Sequence, residues 1–116
     1  MSTRIDGINI YHTRGDTFIA QLTLKYKGTG EPYVPVTGDS IRFALKKKYT
    51  DAEPLIVKNI PVNTLLLELD PDDTKELEPA TYVFDIELTT HDGIVDTFIP
   101  PEPEETARFI LTKEVY

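Results

Sequence analysis

Side chains that could carry out acid–base or nucleophilic chemistry are few in this chain and stand apart. The histidines are His12 and His91, the serines are Ser2 and Ser40, and there is no cysteine. Neither serine lies in a nucleophile-elbow motif, and the missing cysteine excludes disulfides and thiolate chemistry. Because no base stands next to a nucleophile, the sequence predicts a protein that is not an enzyme and that needs no cofactor.

The densest group of acids is one whose carboxylate oxygens could bind Ca²⁺: Asp70, Asp72, Asp73 and Glu76. The glycine of an EF-hand loop is missing, however, and helix capping accounts for the same acids. Asp70 fits the N-cap, Pro71 fits the first helical position, and Asp73 places negative charge at the positive end of the helix dipole. We therefore predict one short helical turn near residues 71–77 and no metal site.

Two short motifs suggest binding functions that have simpler explanations. Arg14-Gly15-Asp16 matches the integrin-binding tripeptide, but Gly-Asp between two strands is also an ordinary turn. Lys46-Lys47-Lys48 is the basic cluster, in a chain whose net charge is −8. This charge disfavours a nucleic-acid backbone or an anionic membrane surface as partner. We expect the first motif to be a turn and the second to be the exposed end of a strand.

The elements that must position these residues are short alternating strands separated by turn residues. Phe18, Ala20, Leu22 and Leu24 share one face of a predicted strand over 17–27, and residues 40–47 alternate equally well. Both strands should be central in their sheets. Further strands are predicted at 8–13, 55–60, 64–69, 82–88, 94–99 and 106–115, and an edge segment at 33–37. The strand over 8–13 should also lie at a sheet edge. The 116 residues, of which 40% are hydrophobic, thus predict one all-β domain over 1–116, an antiparallel β-sandwich of seven to nine strands.

The segment from Leu77 to Tyr82 gives this sandwich a more specific character. A leucine, then Pro79, then a tyrosine opening an alternating strand resembles the tyrosine corner of immunoglobulin-like sandwiches. The Tyr82 ring should pack on the core while its hydroxyl reaches back to the backbone near residues 75–77. The sequence therefore favours an immunoglobulin-like sandwich in which Tyr82, Leu77, Asp70 and Pro71 have structural roles.

Several strands carry apolar residues on both faces. The residues expected to point away from the core are Ile19, Val95, Ile99 and Ile110. Strands that are apolar on both faces lie inside a sandwich or at a subunit interface. We predict an interface at these residues, with cover by local loops as the alternative.

Motifs in a particular order along the chain carry a family resemblance. They are Gly15-Asp16-Thr17-Phe18, Gly38-Asp39-Ser40-Ile41-Arg42-Phe43, Asp73-Thr74 with Leu77, Tyr82-Val83-Phe84-Asp85-Ile86, Gly93-Ile94-Val95-Asp96-Thr97, Phe109-Ile110 and Glu114-Val115. Together they resemble the immunoglobulin-like N-terminal domain of phage baseplate upper proteins and small virion proteins of phages and prophages of Gram-positive bacteria.

The resemblance implies a structural module of a phage or prophage particle, located in the tail, baseplate or neck. Such a module would contact other virion proteins or copies of itself, as a homo-oligomer or an assembly component. It would be made in the bacterial host cytoplasm, and the N-terminus indeed lacks the apolar stretch of a signal peptide. The alternative function is a ligand-binding β-sandwich, such as a carbohydrate-binding domain.

Overall fold

The computed structural model describes residues 4–6, 9–25, 31–100 and 105–113. These residues form nine strands and one short helix. The elements are β1 (Arg4–Asp6), β2 (Asn9–Thr13), β3 (Phe18–Gln21), β4 (Ser40–Lys46), β5 (Ile56–Ile60), β6 (Leu66–Leu69), α1 (Pro71–Thr74), β7 (Ala80–Thr89), β8 (Val95–Ile99) and β9 (Arg108–Thr112). The all-β class and the range of seven to nine strands are confirmed. The predicted motif residues Glu114-Val115 lie outside the described residues.

The strands form a large sheet and a small sheet. The large sheet has the order β1-β2-β9-β7-β4-β5, with β8 also paired to β7, and the small sheet consists of β3 and β6. The core lies between them, and its largest fully buried side chains include Phe18, Phe43, Phe109, Leu67 and Ile86. These residues come from the alternating positions of five different strands, so the period-two pattern does mark the buried face.

The strand order is that of an immunoglobulin-like sandwich. β2 runs parallel to β9, with Ile10 opposite Phe109 and His12 opposite Leu111, whereas the other strand pairs are antiparallel. β4 and β7 pair over seven residues, from Ser40 opposite Thr89 to Lys46 opposite Val83. The three strands β4, β7 and β9 thus correspond to strands C, F and G of an immunoglobulin domain.

Three details of the predicted sheets are wrong. The strand over 17–27 is not central, because its described part, residues 17–25, contains the strand Phe18–Gln21, whose partner is β6 in the small sheet. The strand over 8–13 is not at an edge, because β1 pairs with its outer side. Residues 33–37 form no strand. Local alternation identifies strands but does not determine which strands pair, since pairing joins residues distant in sequence.

The edge of β7 opposite β4 is shared by two strands. β9 pairs with Ala80–Val83, and β8 pairs with Ile86–Thr89. Between them the hydroxyl of Tyr49 donates to the carbonyl of Phe84 at 2.8 Å and accepts from the amide of Ala107 at 3.0 Å. The tyrosine hydroxyl therefore bridges the Phe84 carbonyl and the Ala107 amide at the fork, the point on β7 between the segments that pair with β9 and with β8.

Candidate interaction surface

Asp39 joins two loops at one end of the sandwich. Its carboxylate accepts hydrogen bonds from the Tyr33 hydroxyl at 2.6 Å and the Val36 amide at 3.0 Å, both on the segment before β4. It also accepts from the His91 amide at 3.0 Å, in the turn between β7 and β8, while His91 Nδ1 lies 3.3 Å away. These donors, the hydroxyl of Tyr33 first, lower the pKa of Asp39 from 3.8 to about 2.

Gly38 allows the two loops to approach each other. Its φ angle is +99°, and a Cβ atom at this position would lie 2.7 Å from the Cβ of His91. A side chain at residue 38 would therefore be strained by the backbone and would also collide with the turn. The Gly38-Asp39 pair therefore connects the start of β4 to the turn between β7 and β8.

The β7–β8 turn is held by its own hydrogen bonds. The Thr90 amide donates to the Ile94 carbonyl at 2.8 Å, the Gly93 amide to the Thr90 carbonyl at 2.9 Å, and the Ile94 amide to Thr90 Oγ1 at 3.0 Å. Thr90 Oγ1 also bonds to Asp92 Oδ1. The main chain and the side chain of Thr90 therefore both stabilise the turn over 90–93.

Apolar side chains on these two loops, and that of Val95 at the start of β8, are exposed to solvent. Val34 is 76% exposed and Val36 50%, while Ile94 is 60% and Val95 59% exposed. We call these four residues the loop end. Because Asp39 bonds both loops, the loop end is held in place before any partner binds.

The predicted interface residues are distributed over different parts of the surface. Val95 belongs to the loop end, Ile19 is 60% exposed on the outer face of β3, and Ile110 is half-buried on the outer face of β9, opposite Thr81. Ile99 was predicted incorrectly, because it packs against the core. It pairs with Ile86, and a register shift between Ile86 and Glu87 turns it inward.

Tyr82 lies where a tyrosine corner would place it, with its ring 5% exposed. Its hydroxyl donates to the carbonyl of Glu78 at 2.6 Å, one residue beyond the predicted acceptors at 75–77. Leu77 packs on the edge of the core. The turn before Tyr82 ends with the Leu77 amide bonded to the Thr74 carbonyl, and the next carbonyl along the chain, that of Glu78, is the one within reach of the hydroxyl.

The helix α1 begins as predicted, with Asp70 at the N-cap and Pro71 at the first position. The side-chain hydrogen bond runs from the Asp70 amide to Asp73 Oδ2, at 2.7 Å, and the same carboxylate pairs with Lys58 at 2.9 Å. Asp73 is thus the residue whose side chain closes this cap. Among the described residues, no group of three acids or histidines is arranged to hold a metal ion.

The Arg14-Gly15-Asp16 tripeptide contacts the segment after β6 rather than projecting freely. The Arg14 guanidinium donates to the Leu77 carbonyl at 3.2 Å, and the Gly15 amide donates to Oγ1 of the fully buried Thr74 at 2.9 Å.

His12 is also fully buried, with its ring edge against Phe18 and its Nε2 3.1 Å from the Asp16 carbonyl. Burial lowers the pKa of His12.

Comparisons of the chain with family models, with curated proteins and with solved structures find no match. No helix among the described residues has the length and apolar character needed to cross a membrane. The sequence pattern does not predict the side-chain contacts of Asp39, Tyr49 and Thr74. For Asp39 the available signal was its place after a glycine; Tyr49 and Thr74 carried none, because their partners are distant in sequence.

Proposed function

We propose that this protein is a non-enzymatic structural module of a phage or prophage particle that acts through protein–protein contacts. The observation that supports contact formation is the loop end, where four exposed apolar side chains lie on or next to the two loops that Asp39 joins. Exposed apolar groups held in fixed positions favour binding, since little conformational freedom is lost when a partner covers them. The assignment to a phage or prophage particle rests on the resemblance to phage virion proteins.

The loop end corresponds to the end at which immunoglobulin variable domains bind their antigens. The B–C and F–G loops lie there in those domains, and the segments carrying Val36 and Val95 occupy the equivalent connections, before β4 and after β7. Such contacts bury aromatic and aliphatic anchors at their centre. A surface on another virion protein, or on a second copy of this chain, is the partner that we propose.

A ligand-binding module is the second candidate, and one observation favours it. A cleft of about 320 Å³ lies between β5 and β6, lined by hydrogen-bonding side chains that include Lys58, Asn59, Glu68 and Asp70. Its lining residues contain no aromatic ring, the group on which sugar rings commonly stack. We therefore rank a carbohydrate-binding role below assembly.

The experiment begins with particles purified by density gradient from a lysate of the phage or induced prophage that encodes the chain. The protein should band with the particles in mass spectrometry. A double variant, Ile94→Lys with Val95→Lys, should fold but should be lost from the particles. Val57→Lys is the matched control, since Val57 is 48% exposed on a different strand, β5.

The outcomes separate the candidates. Wild-type protein that is absent from particles would contradict a virion role, and a double variant incorporated like wild type would contradict the loop end as the contact. Binding of wild type to immobilised glycans, abolished by Glu68→Gln, would favour the ligand-binding alternative.

A further inference from the structure

On the side of the sandwich where β5 and β6 lie, no further strand of the described chain pairs with either of them. β5 is the last strand of the large sheet, and β6 has β3 as its partner among the described residues. Residues Pro61–Leu65 carry the chain directly from one sheet to the other, with the Leu65 amide bonded to the Pro61 carbonyl at 2.8 Å. Constant-type immunoglobulin domains place a strand D beside strand E, and β6, which corresponds to strand E, has no such neighbour in the described chain.

The register identifies the main-chain groups that face this opening. The Leu22 amide donates to the Leu65 carbonyl at 2.8 Å, and hydrogen-bonded pairs alternate along an antiparallel ladder. Ala20–Leu67 and Phe18–Leu69 are therefore the bonded pairs in the register of β3 and β6. The amide and carbonyl of Glu68 consequently point away from β3, toward the cleft that Glu68 helps to line.

The charges around this edge are predominantly negative. Glu68 and Asp70 are exposed and line the cleft. Lys58 lines it as well, but its ammonium group is paired with Asp73 at 2.9 Å. The whole chain carries a net charge of −8, so a second copy of it would be repelled from this edge. A segment with positive charge would be attracted.

We propose that the edge of β6 accepts one extended, basic strand from a partner protein by β-augmentation. The incoming strand would bond to the Glu68 main chain, as in other cases of strand addition to a free edge. Its lysine or arginine side chains would lie beside Glu68, on the face of the small sheet that also carries Ile19. The proposal rests on the proposed function in treating the chain as an assembly module, but it uses a surface separate from the loop end.

The test uses a synthetic peptide that alternates valine and lysine, with blocked termini, added to the ¹⁵N-labelled full-length chain. The amide signals of residues 66–70 should shift on binding. A second peptide has the same sequence but carries N-methyl groups on every other residue, which remove the hydrogen bonds to β6 and keep the charge. It should bind about tenfold more weakly or worse, because one or more intermolecular hydrogen bonds are lost.

Variants establish the site and its charge preference. Glu68→Lys should weaken binding of the valine–lysine peptide and should improve binding of a valine–glutamate peptide of equal length. Glu53→Lys, the same charge change at an exposed loop position, should change binding much less. The signals of Glu68→Lys outside the edge should match those of wild type, which shows that the variant is folded.

Two results would overturn the proposal: no shift at residues 66–70 at millimolar peptide, or equal binding of the N-methylated peptide, which would indicate charge attraction alone. The double variant Ile94→Lys with Val95→Lys should still bind the peptide. The loop-end experiment could fail while the peptide still binds. That combination would count against the proposed function and would leave the strand-addition site in place.

Discussion

At the scale of single residues, a polar side chain next to the core determines how two surface loops are placed. Asp39 is 7% exposed and accepts hydrogen bonds from two loops. Its Oδ2 receives the Tyr33 hydroxyl and the Val36 amide, so this one oxygen fixes the first loop. A carboxylate suits this position because it offers acceptors only. The Tyr33 hydroxyl and the amides of Val36 and His91 all donate to it.

Replacing Asp39 by asparagine should destabilise the fold in a pH-dependent way. The new amide group would point donors at the Tyr33 hydroxyl or the His91 amide. The pKa of Asp39 is lowered from 3.8 to about 2, so its charged form stabilises the folded state fully above pH 3.8 and progressively less as the pH falls toward 2.

The measurement is urea unfolding of wild type and Asp39→Asn between pH 7 and pH 2. The difference in unfolding free energy should be constant above about pH 5 and should shrink below it. Glu53→Gln, at an exposed loop position, is the control. A difference that grows as the pH falls would contradict the role assigned to the Asp39 carboxylate.

Tyr82→Phe tests the tyrosine corner. The variant removes a hydroxyl that donates to the Glu78 carbonyl at 2.6 Å and changes the packing of the ring very little. The free energy of unfolding should fall by about 1 kcal/mol, the usual net contribution of one hydrogen bond, because the acceptor belongs to an exposed residue that water can reach. Thr81→Val removes an exposed hydroxyl from the neighbouring residue and should stay within about 0.5 kcal/mol. Equal effects of the two changes in urea unfolding would argue against the corner.

At the scale of elements, Tyr49 determines how β8 and β9 share β7. Its hydroxyl bonds to the Phe84 carbonyl and to the amide of the fully buried Ala107. Burial raises the pKa of Tyr49, so the hydroxyl stays protonated and able to donate at neutral pH. Phe84 also donates its amide to the Ala107 carbonyl at 3.0 Å, and the two interactions together keep the fork closed.

Tyr49→Phe should open this fork locally. Two buried main-chain groups would lose their partner, at a cost of about 1–3 kcal/mol. Hydrogen–deuterium exchange of the Ala107 amide should accelerate, whereas the amides of β4 at the far side of β7 should exchange as in wild type. Tyr82→Phe serves as the comparison, since it lowers stability without touching Ala107. Unchanged exchange at Ala107 in Tyr49→Phe would show that the hydroxyl is dispensable.

The sequence predicted elements better than it predicted their partners. β4 was predicted almost to its boundaries, because Ile41, Phe43 and Leu45 alternate with Arg42, Ala44 and Lys46. The helical turn followed from Asp70 and Pro71. The parallel pairing of β2 with β9, the separate β3–β6 sheet and the inward turn of Ile99 could not be predicted, since each depends on contacts between distant segments and leaves no local pattern.

The surface was harder to predict than the core for a related reason. Val95 was predicted to be in the interface, but Val34, Val36 and Ile94 were not. Their importance comes from Asp39, which brings together residues more than fifty positions apart. The polar cleft likewise needs β5 and β6 to end in different sheets, and neither strand shows this in its sequence.

At the scale of the whole molecule, the net charge of −8 opposes contact between copies while the exposed apolar residues favour it. Salt screens the repulsion between separated charges, with a Debye length of about 10 Å at 0.1 M and about 3 Å at 1 M. Self-association should therefore increase between low salt and about 0.5 M sodium chloride. Sedimentation at micromolar concentration measures it, and Ile110→Lys tests the face of β9. If the protein were a monomer at every salt concentration, self-association would be contradicted and the partner would be a different protein.

The parallel pair of β2 and β9 has a mechanical consequence. Tension along the chain pulls β2 from its Asn9 end and β9 from its Thr112 end, and in a parallel pair these ends lie at opposite extremes of the shared ladder. The force then acts along the strands, so the ladder bonds are loaded together rather than broken one after another as in a zipper. Pulled in this direction, the domain should rupture at one high force, with β2 and β9 acting as a shear clamp that gives way before the rest of the sandwich can unravel.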